Sequence, residues 1–241
     1  MGKTIAIASG KGGTGKTMVS ANLGTALSKK GYSVLLADMD TGMRNLDLYL
    51  GLENKVVFDV GDVLNDVCSI KQAIIKNKKF PNMFFLPASP CIDDEEFPQS
   101  HVRILFEALE NSFDYVIVDC PSGREGLITA TECADNVILV VNPELSSLRY
   151  CDSMVSTLEK KGVKNCFFIV NKANIKLINE GFAPSLREMD DKLRGKIIGI
   201  VRDDINIKIS TNMGLPVTYI EDSAPSDNFE RIAERLVELL K

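Results

Sequence analysis

The apolar run Ile5-Ala6-Ile7-Ala8 is followed at once by Gly10-Lys11-Gly12-Gly13-Thr14-Gly15-Lys16-Thr17 and then by a helical pattern from Met18 to Lys30. Few folds tolerate that succession of strand, glycine-rich loop and helix. Glycines let consecutive backbone N–H groups turn inward with no Cβ in the way, and the following helix presents its positive end to the same point. The spacing of Gly10, Gly15, Lys16 and Thr17 fits G-x-x-x-x-G-K-[ST], a loop that cradles phosphates. Gly10, Gly12, Gly13, Thr14 and Gly15 are therefore candidate backbone ligands, Lys16 a candidate for the β- and γ-phosphates, and Thr17 a candidate hydroxyl ligand of Mg²⁺. A glycine-rich turn with chance charges is the alternative, and the strand-to-helix context argues against it. Lys11 has no role in the plain motif: its side chain either points to solvent or reaches a second bound nucleotide across an interface between two copies.

Further apolar runs at Val34–Ala37, Met83–Leu86, Tyr115–Val118, Val137–Val141, Phe167–Val170 and Ile197–Val201 do not alternate with polar residues, as expected of strands covered on both faces. Helical patterns separate most of them, including Val102–Glu110, Ser146–Lys161 and Pro184–Leu193. That alternation predicts an α/β fold of the P-loop NTPase type, a mostly parallel central sheet flanked by helices. Ligands then bind beyond the carboxyl ends of the strands, where Gly10, Asp38, Asp119, Asn142 and Asn171 fall.

With 241 residues, 45% of them apolar, and no Pro-, Gly- or Ser-rich linker, a single domain over residues 1–241 is expected. No apolar run approaches the roughly 18 residues of a spanning helix. The start, Met1-Gly2-Lys3-Thr4, runs directly into the first strand, which leaves no room for a signal peptide. A soluble, cytoplasmic protein is the expectation. The net charge of −5 gives no general nucleic-acid footprint, and Lys76, Lys78 and Lys79 read as a solvated loop. The six cysteines, at 68, 91, 120, 133, 151 and 166, form no C-x-x-C or C-x-C pair, and His101 is alone. A reducing compartment and mostly small core cysteines follow.

Other segments come in a telling order: Ala37-Asp38-Met39-Asp40 with Met43-Arg44-Asn45-Leu46-Asp47, Leu86-Pro87-Ala88-Ser89, Asp119-Cys120-Pro121-Ser122-Gly123, Asn142-Pro143-Glu144 with Ser146-Ser147-Leu148-Arg149, Val170-Asn171-Lys172, and Gly214-Leu215-Pro216-Val217. Together with the second lysine of the loop, they resemble the deviant Walker A family of P-loop ATPases, which includes partition and division-site ATPases, and within it the septum-site-determining branch. The resemblance implies ATP or ADP with Mg²⁺ as ligands and a homodimer in the ATP state, Lys11 contacting the partner's nucleotide. By the same resemblance, Asp40 orients or activates the attacking water, Asp38 supports the Mg²⁺ shell, and Asp119 takes the place of a Walker B carboxylate. Pro121 and Gly123 would form a switch, with the Gly123 N–H reaching the γ-phosphate. Read as residues alone, Asp38 and Asp40 also suit a turn or helix cap, and Asn171 a turn after a strand. As a base-recognition segment, Asn171 would hydrogen-bond the purine. Asn174 stands where a guanine-selective site needs a carboxylate, so adenine is favoured.

The chain departs from the family pattern in four places. Met18 replaces a hydroxyl expected at the α-phosphate, which leaves its backbone N–H as the expected contact there. Arg202, in Val201-Arg202-Asp203-Asp204, replaces a proline at the base, where it could stack on the ring. Arg124 and Leu127 are unusual in the switch, and a solvent-facing Arg124 competes with a partner-binding one. The last helix, Asp227–Lys241, carries Phe229, Ile232, Ala233, Leu236, Leu239 and Leu240 along one face and balanced charges on the other, so it is expected to pack on the sheet rather than lie on a membrane. The resemblance also implies a separate basic amphipathic membrane segment after that helix, which this sequence lacks, so direct membrane binding is not expected without an anchor supplied by a partner. The leading expectation is a partner-stimulated ATPase switch controlling division-site position, with a protein regulator or effector. Its alternatives are a flagellar number or placement regulator and a metal-centre maturation ATPase, the latter needing cysteines such as Cys91 and Cys133 as ligands.

Overall fold

Strand β1 (Lys3–Ala8) lies inside an eight-stranded sheet, between β5 (Tyr115–Asp119) and β6 (Asn136–Val141), parallel to both. The computed structural model describes residues 2–41, 43–90, 99–220 and 222–241, with nothing said of the Gln99 side chain. The other strands are β2 (Val34–Asp38), β3 (Ile75–Lys76), β4 (Met83–Leu86), β7 (Asn165–Ala173) and β8 (Lys196–Arg202). Their order is β3-β4-β2-β5-β1-β6-β7-β8, and each pairing is parallel except the short β3 against β4. All seven expected strands are present. The two-residue edge strand β3 carries no apolar run of its own and was not expected.

Parallel strands need covered faces, and two apolar clusters supply the cover. One gathers Ile5, Ile7, Leu36, Ile117 and Ile198 under the helices Lys16–Lys29 and Ala224–Leu239. The other gathers Ala6, Val116, Val118, Leu139 and Val170 under Gln99–Glu110, Gly123–Cys133 and Leu145–Lys160. Because Lys16–Lys29 is buried almost all round, its polar residues bond internally: Asn22 Nδ2 donates to the Met18 carbonyl at 2.8 Å and Thr25 Oγ1 to the Ala21 carbonyl at 2.8 Å.

Two helices of functional consequence, Gly123–Cys133 and Ile205–Asn212, were not expected. Gly123 and Gly126 make the first read as loop, yet Gly126 is buried in a helix. Asp204 starts the second, its carboxylate accepting the Asn206 N–H at 2.8 Å. Pro184–Leu193 contracts to a helix at Leu186–Lys192, capped by Ser185.

The last helix, Ala224–Leu239, packs on the sheet as its pattern requires, burying Phe229, Ile232, Ala233 and Leu236. Ser223 caps it and Pro225 occupies its first turn. It lies so close to β8 that a Cβ on Gly199 would fall 2.1 Å from Ile232 Cγ1. On its outer side, Lys29–Glu230 and Lys30–Glu234 ion pairs, both 2.7 Å, join it to the first helix. Among the described residues no helix is long and apolar enough to cross a membrane.

Ile232→Ala is expected to cost about 2–4 kcal/mol through the cavity it leaves. Gly199→Ala should destabilise by overpacking, and the double variant should lose less than the sum, since the shortened side chain makes room for the new methyl. Urea denaturation of the four proteins measures the cycle; strict additivity would mean that the two positions do not meet.

Candidate functional site

The loop after β1 turns through glycines in left-handed conformations, Gly13 at φ 76° and Gly15 at φ 95°. Gly15 has no alternative: a Cβ there would lie 2.3 Å from Asn171 Nδ2. The helix starts at Lys16, directly after that glycine. Lys16 is 6% exposed, and its Nζ donates to Ser122 Oγ at 2.6 Å, which ties the loop to the segment after β5.

Three carboxylates meet at the strand ends. Register pairs Asp38 of β2 directly with Asp119 of β5, and both are fully buried. Burial, reinforced by the Asp119 charge, pushes the Asp38 carboxyl well above the usual carboxylate range, although its oxygens accept N–H groups from Asp40 at 3.0 Å and Leu46 at 3.2 Å. Asp119 is raised to about 6, again by burial, with the Thr17 and Ser20 hydroxyls and the Lys16 ammonium holding it back. Ser20 Oγ donates to Asp119 Oδ1 at 3.0 Å, whereas Oδ2 is buried with no hydrogen-bond partner. Asp40 is half-buried, raised by burial against the pull of Lys16. The bond from the Asp40 N–H to the Asp38 carboxylate makes a tight turn, so the two do not extend side by side as a continuing strand would hold them; the turn instead leaves Asp40 facing the cavity.

That cavity, about 890 Å³, is walled by Gly12, Gly13, Gly15, Lys16, Thr17 and Met18 on the loop side. Asp40, Asn171 and Arg202 face it from three other segments, so most of the expected nucleotide contacts converge. Thr14 is buried beneath the loop, its hydroxyl without a partner. Three of the expected residues make other contacts in this structure. Gly10 faces a neighbouring cavity of about 750 Å³, against Tyr150 and Met154, and the chain first lines the cradle two residues later, at Gly12. Gly123 faces that second cavity too, and its N–H donates to the Ser9 carbonyl at 3.0 Å. Lys11 neither points free into solvent nor faces the cradle: its Nζ pairs with Glu144 Oε2 of the same chain.

Asn171 lies within β7, which runs on to Ala173, rather than in a turn after it. Its Nδ2 donates to the Thr14 carbonyl at 2.7 Å, and its Oδ1 is buried without a partner. Met18 is buried in the apolar cluster beneath the loop, and Arg124 is exposed. Sequence reasoning missed Ser122, Ser20, Tyr49 and Lys172. Tyr49, whose phenol is raised by burial and then by the Asp119 charge, lines the cavity from the short helix Leu46–Leu50, two residues past the Met43–Asp47 segment. Lys172 Nζ donates to the Gly13 carbonyl at 2.7 Å; its place beside Asn171 was the available signal.

Cys91 lies outside the described residues. Burial pushes the Cys120 and Cys133 thiols well above their ordinary value and those of Cys151 and Cys166 to about 12, so these sulfurs stay protonated, the poor state for a metal ligand.

A family profile described as an AAA domain matches residues 2–168. The septum site-determining protein MinD of Synechocystis sp. is 40% identical over 238 residues, spanning 98% of this chain and 90% of that protein. A chain of the MinC:MinD cell division protein complex from Aquifex aeolicus superposes with a TM-score of 0.91 at 37% identity, covering 98% of this chain and 96% of that one. The septum site-determining protein MinD of Pyrococcus horikoshii, solved with Mg-ADP, gives a TM-score of 0.88 at 30% identity, covering 100% and 98%.

Burial raises the folded Asp119 carboxyl to about 6, against about 3.9 for an unfolded aspartate, so the folded protein holds this proton longer and loses stability as pH rises through that window. In EDTA, Asp119→Asn should be more stable than the unaltered protein at pH 7, by on the order of 2 kcal/mol, with the difference closing toward pH 4. Urea denaturation across that range measures it; a gap independent of pH would show that the charge of Asp119 is not what costs stability.

Proposed function

The chain belongs to the MinD family of septum site-determining proteins, which carries an AAA-type ATPase domain, and from that premise we propose that it hydrolyses ATP with Mg²⁺ and acts as an ATP-dependent dimerisation switch that positions the division site. The observation that carries this reading is the group of Lys16, Asp38, Asp40 and Asp119 gathered at the carboxyl ends of parallel strands, behind a loop built to hold phosphates. The donor set fits a hard divalent cation, because Asp119 Oδ2 is buried and unpartnered while Asp38 adjoins it. Thr17, Asp38 and Asp119 would hold Mg²⁺, which supplies charge neutralisation at the phosphate oxygens.

Phosphoryl transfer to water asks for positioning and charge stabilisation more than for covalent chemistry. The loop amides and Lys16 bind the phosphates, Lys16 exchanging the Ser122 hydroxyl for a phosphate oxygen. Asp40 orients the water from the cavity wall, and its raised carboxyl is the better proton acceptor for it. Asn171 Oδ1, an acceptor with no partner, suits the exocyclic amine of adenine, and Arg202 lines the same cavity. The Gly123 N–H reaches a γ-phosphate by giving up the Ser9 carbonyl, and the helix it begins then follows the nucleotide state.

Dimerisation requires Lys11 to leave Glu144. Their side chains are 38% and 51% exposed, and such surface pairs are worth about 1 kcal/mol or less, so release to the nucleotide of a second copy costs little. The Aquifex aeolicus relative assembles with MinC, and a regulator of that kind is the partner proposed for the ATP-bound dimer.

Asp40→Ala is expected to bind ATP, dimerise and lose turnover by about 10²-fold or more. Lys11→Ala should bind ATP and stay monomeric. Equilibrium sedimentation with ATP or ADP, beside phosphate release, reads both variants; an Asp40→Ala protein that stays monomeric in saturating ATP would sink the switch.

A further inference from the structure

Two successive side chains near the end of β7 bond to two successive carbonyls of the phosphate loop. Asn171 Nδ2 donates to the Thr14 carbonyl and Lys172 Nζ to the Gly13 carbonyl, each at 2.7 Å. Neighbouring residues in a regular strand point to opposite faces, so an undistorted β7 could not aim both at one loop. Distortion is present at this point: Lys172 has φ 55°, a left-handed conformation unusual for a residue with a Cβ, and the pairing of β7 with β8 is irregular between Val170 and Ala173. Such strain persists where the surroundings enforce it, and it collects at functional sites.

The bonded atoms are the informative part. A trans peptide holds its C=O and N–H in one plane pointing opposite ways. The Gly13 carbonyl shares its plane with the Thr14 N–H, and the Thr14 carbonyl shares its plane with the Gly15 N–H. Holding those two oxygens on β7 therefore fixes the direction of the two amides, and a phosphate loop binds through amides whose direction is fixed. Without the clamp, Gly13 and Gly15, free of side chains, would let both peptides rotate.

We infer that Asn171 and Lys172 form a clamp that sets the direction of the Thr14 and Gly15 amides, with Lys172 a positioning residue for the terminal phosphates of the nucleotide. The inference rests on the nucleotide-binding reading of the loop and deepens it. Lys172 acts on the phosphate end of the site through backbone, while its neighbour Asn171 keeps Oδ1 free.

Lys172→Gly removes the lysine half of the clamp and relieves the left-handed strain, so folding is preserved; Lys172→Met removes the ammonium alone. Calorimetric titration of each with ADP and with AMP, in Mg²⁺, separates the phosphate cradle from the rest of the pocket. In both variants ADP affinity is expected to fall about tenfold while AMP affinity holds. ADP affinities within about twofold of the unaltered protein would overturn the clamp, as would equal losses for AMP and ADP, which mark a general loosening. An unaltered protein that fails to bind ADP overturns the nucleotide reading itself, and the clamp with it.

Discussion

Two carboxylates that repel each other are held side by side by backbone hydrogen bonds. The parallel pairing of β2 with β5 sets Asp38 opposite Asp119, both fully buried, and the cost shows in both carboxyls being raised. A fold that needed only stability would not place them there, since burying two adjacent carboxyls costs more than the one nearby ammonium, Lys16, offsets. The sheet carries the cost because its covered strands, apolar along their length, contribute far more than this pair removes. Position in the sheet thus turns a liability into an affinity for positive charge at one defined point.

Much of this was legible in the sequence, and the reasons differ by element. Covered parallel strands announce themselves as unbroken apolar runs, so Ile5–Ala8, Val34–Ala37 and Tyr115–Val118 could be read directly, and the strand ends then located Asp38 and Asp119. The Gly123–Cys133 helix was hidden by its glycines, since local propensity opposes a helix that tertiary packing requires. Lys11 shows a different limit. Spacing could say that its charge was spare within the loop, but not that Glu144, more than a hundred residues away, would meet it. Ser122 and Lys172 escaped for the same reason: their partners are loop atoms distant in sequence, and nothing in the chain's periodicity encodes them.

The loop and the segment after β5 are bound to each other twice, through Lys16 to Ser122 and through the Gly123 N–H to the Ser9 carbonyl. Ser9 in turn donates its hydroxyl to the Lys11 carbonyl at 2.9 Å, so one small network joins Lys16, Lys11 and the start of the Gly123–Cys133 helix. On the proposed reading, a phosphate that took Lys16 and Gly123 for itself would compete with both bonds at once. That competition is the differential interaction a switch needs, because a ligand moves an equilibrium only by binding two arrangements unequally. Neither bond is part of the sheet's pairing, so exchanging them would leave the sheet closed and keep the change at the strand ends, where Lys11 and Glu144 also lie.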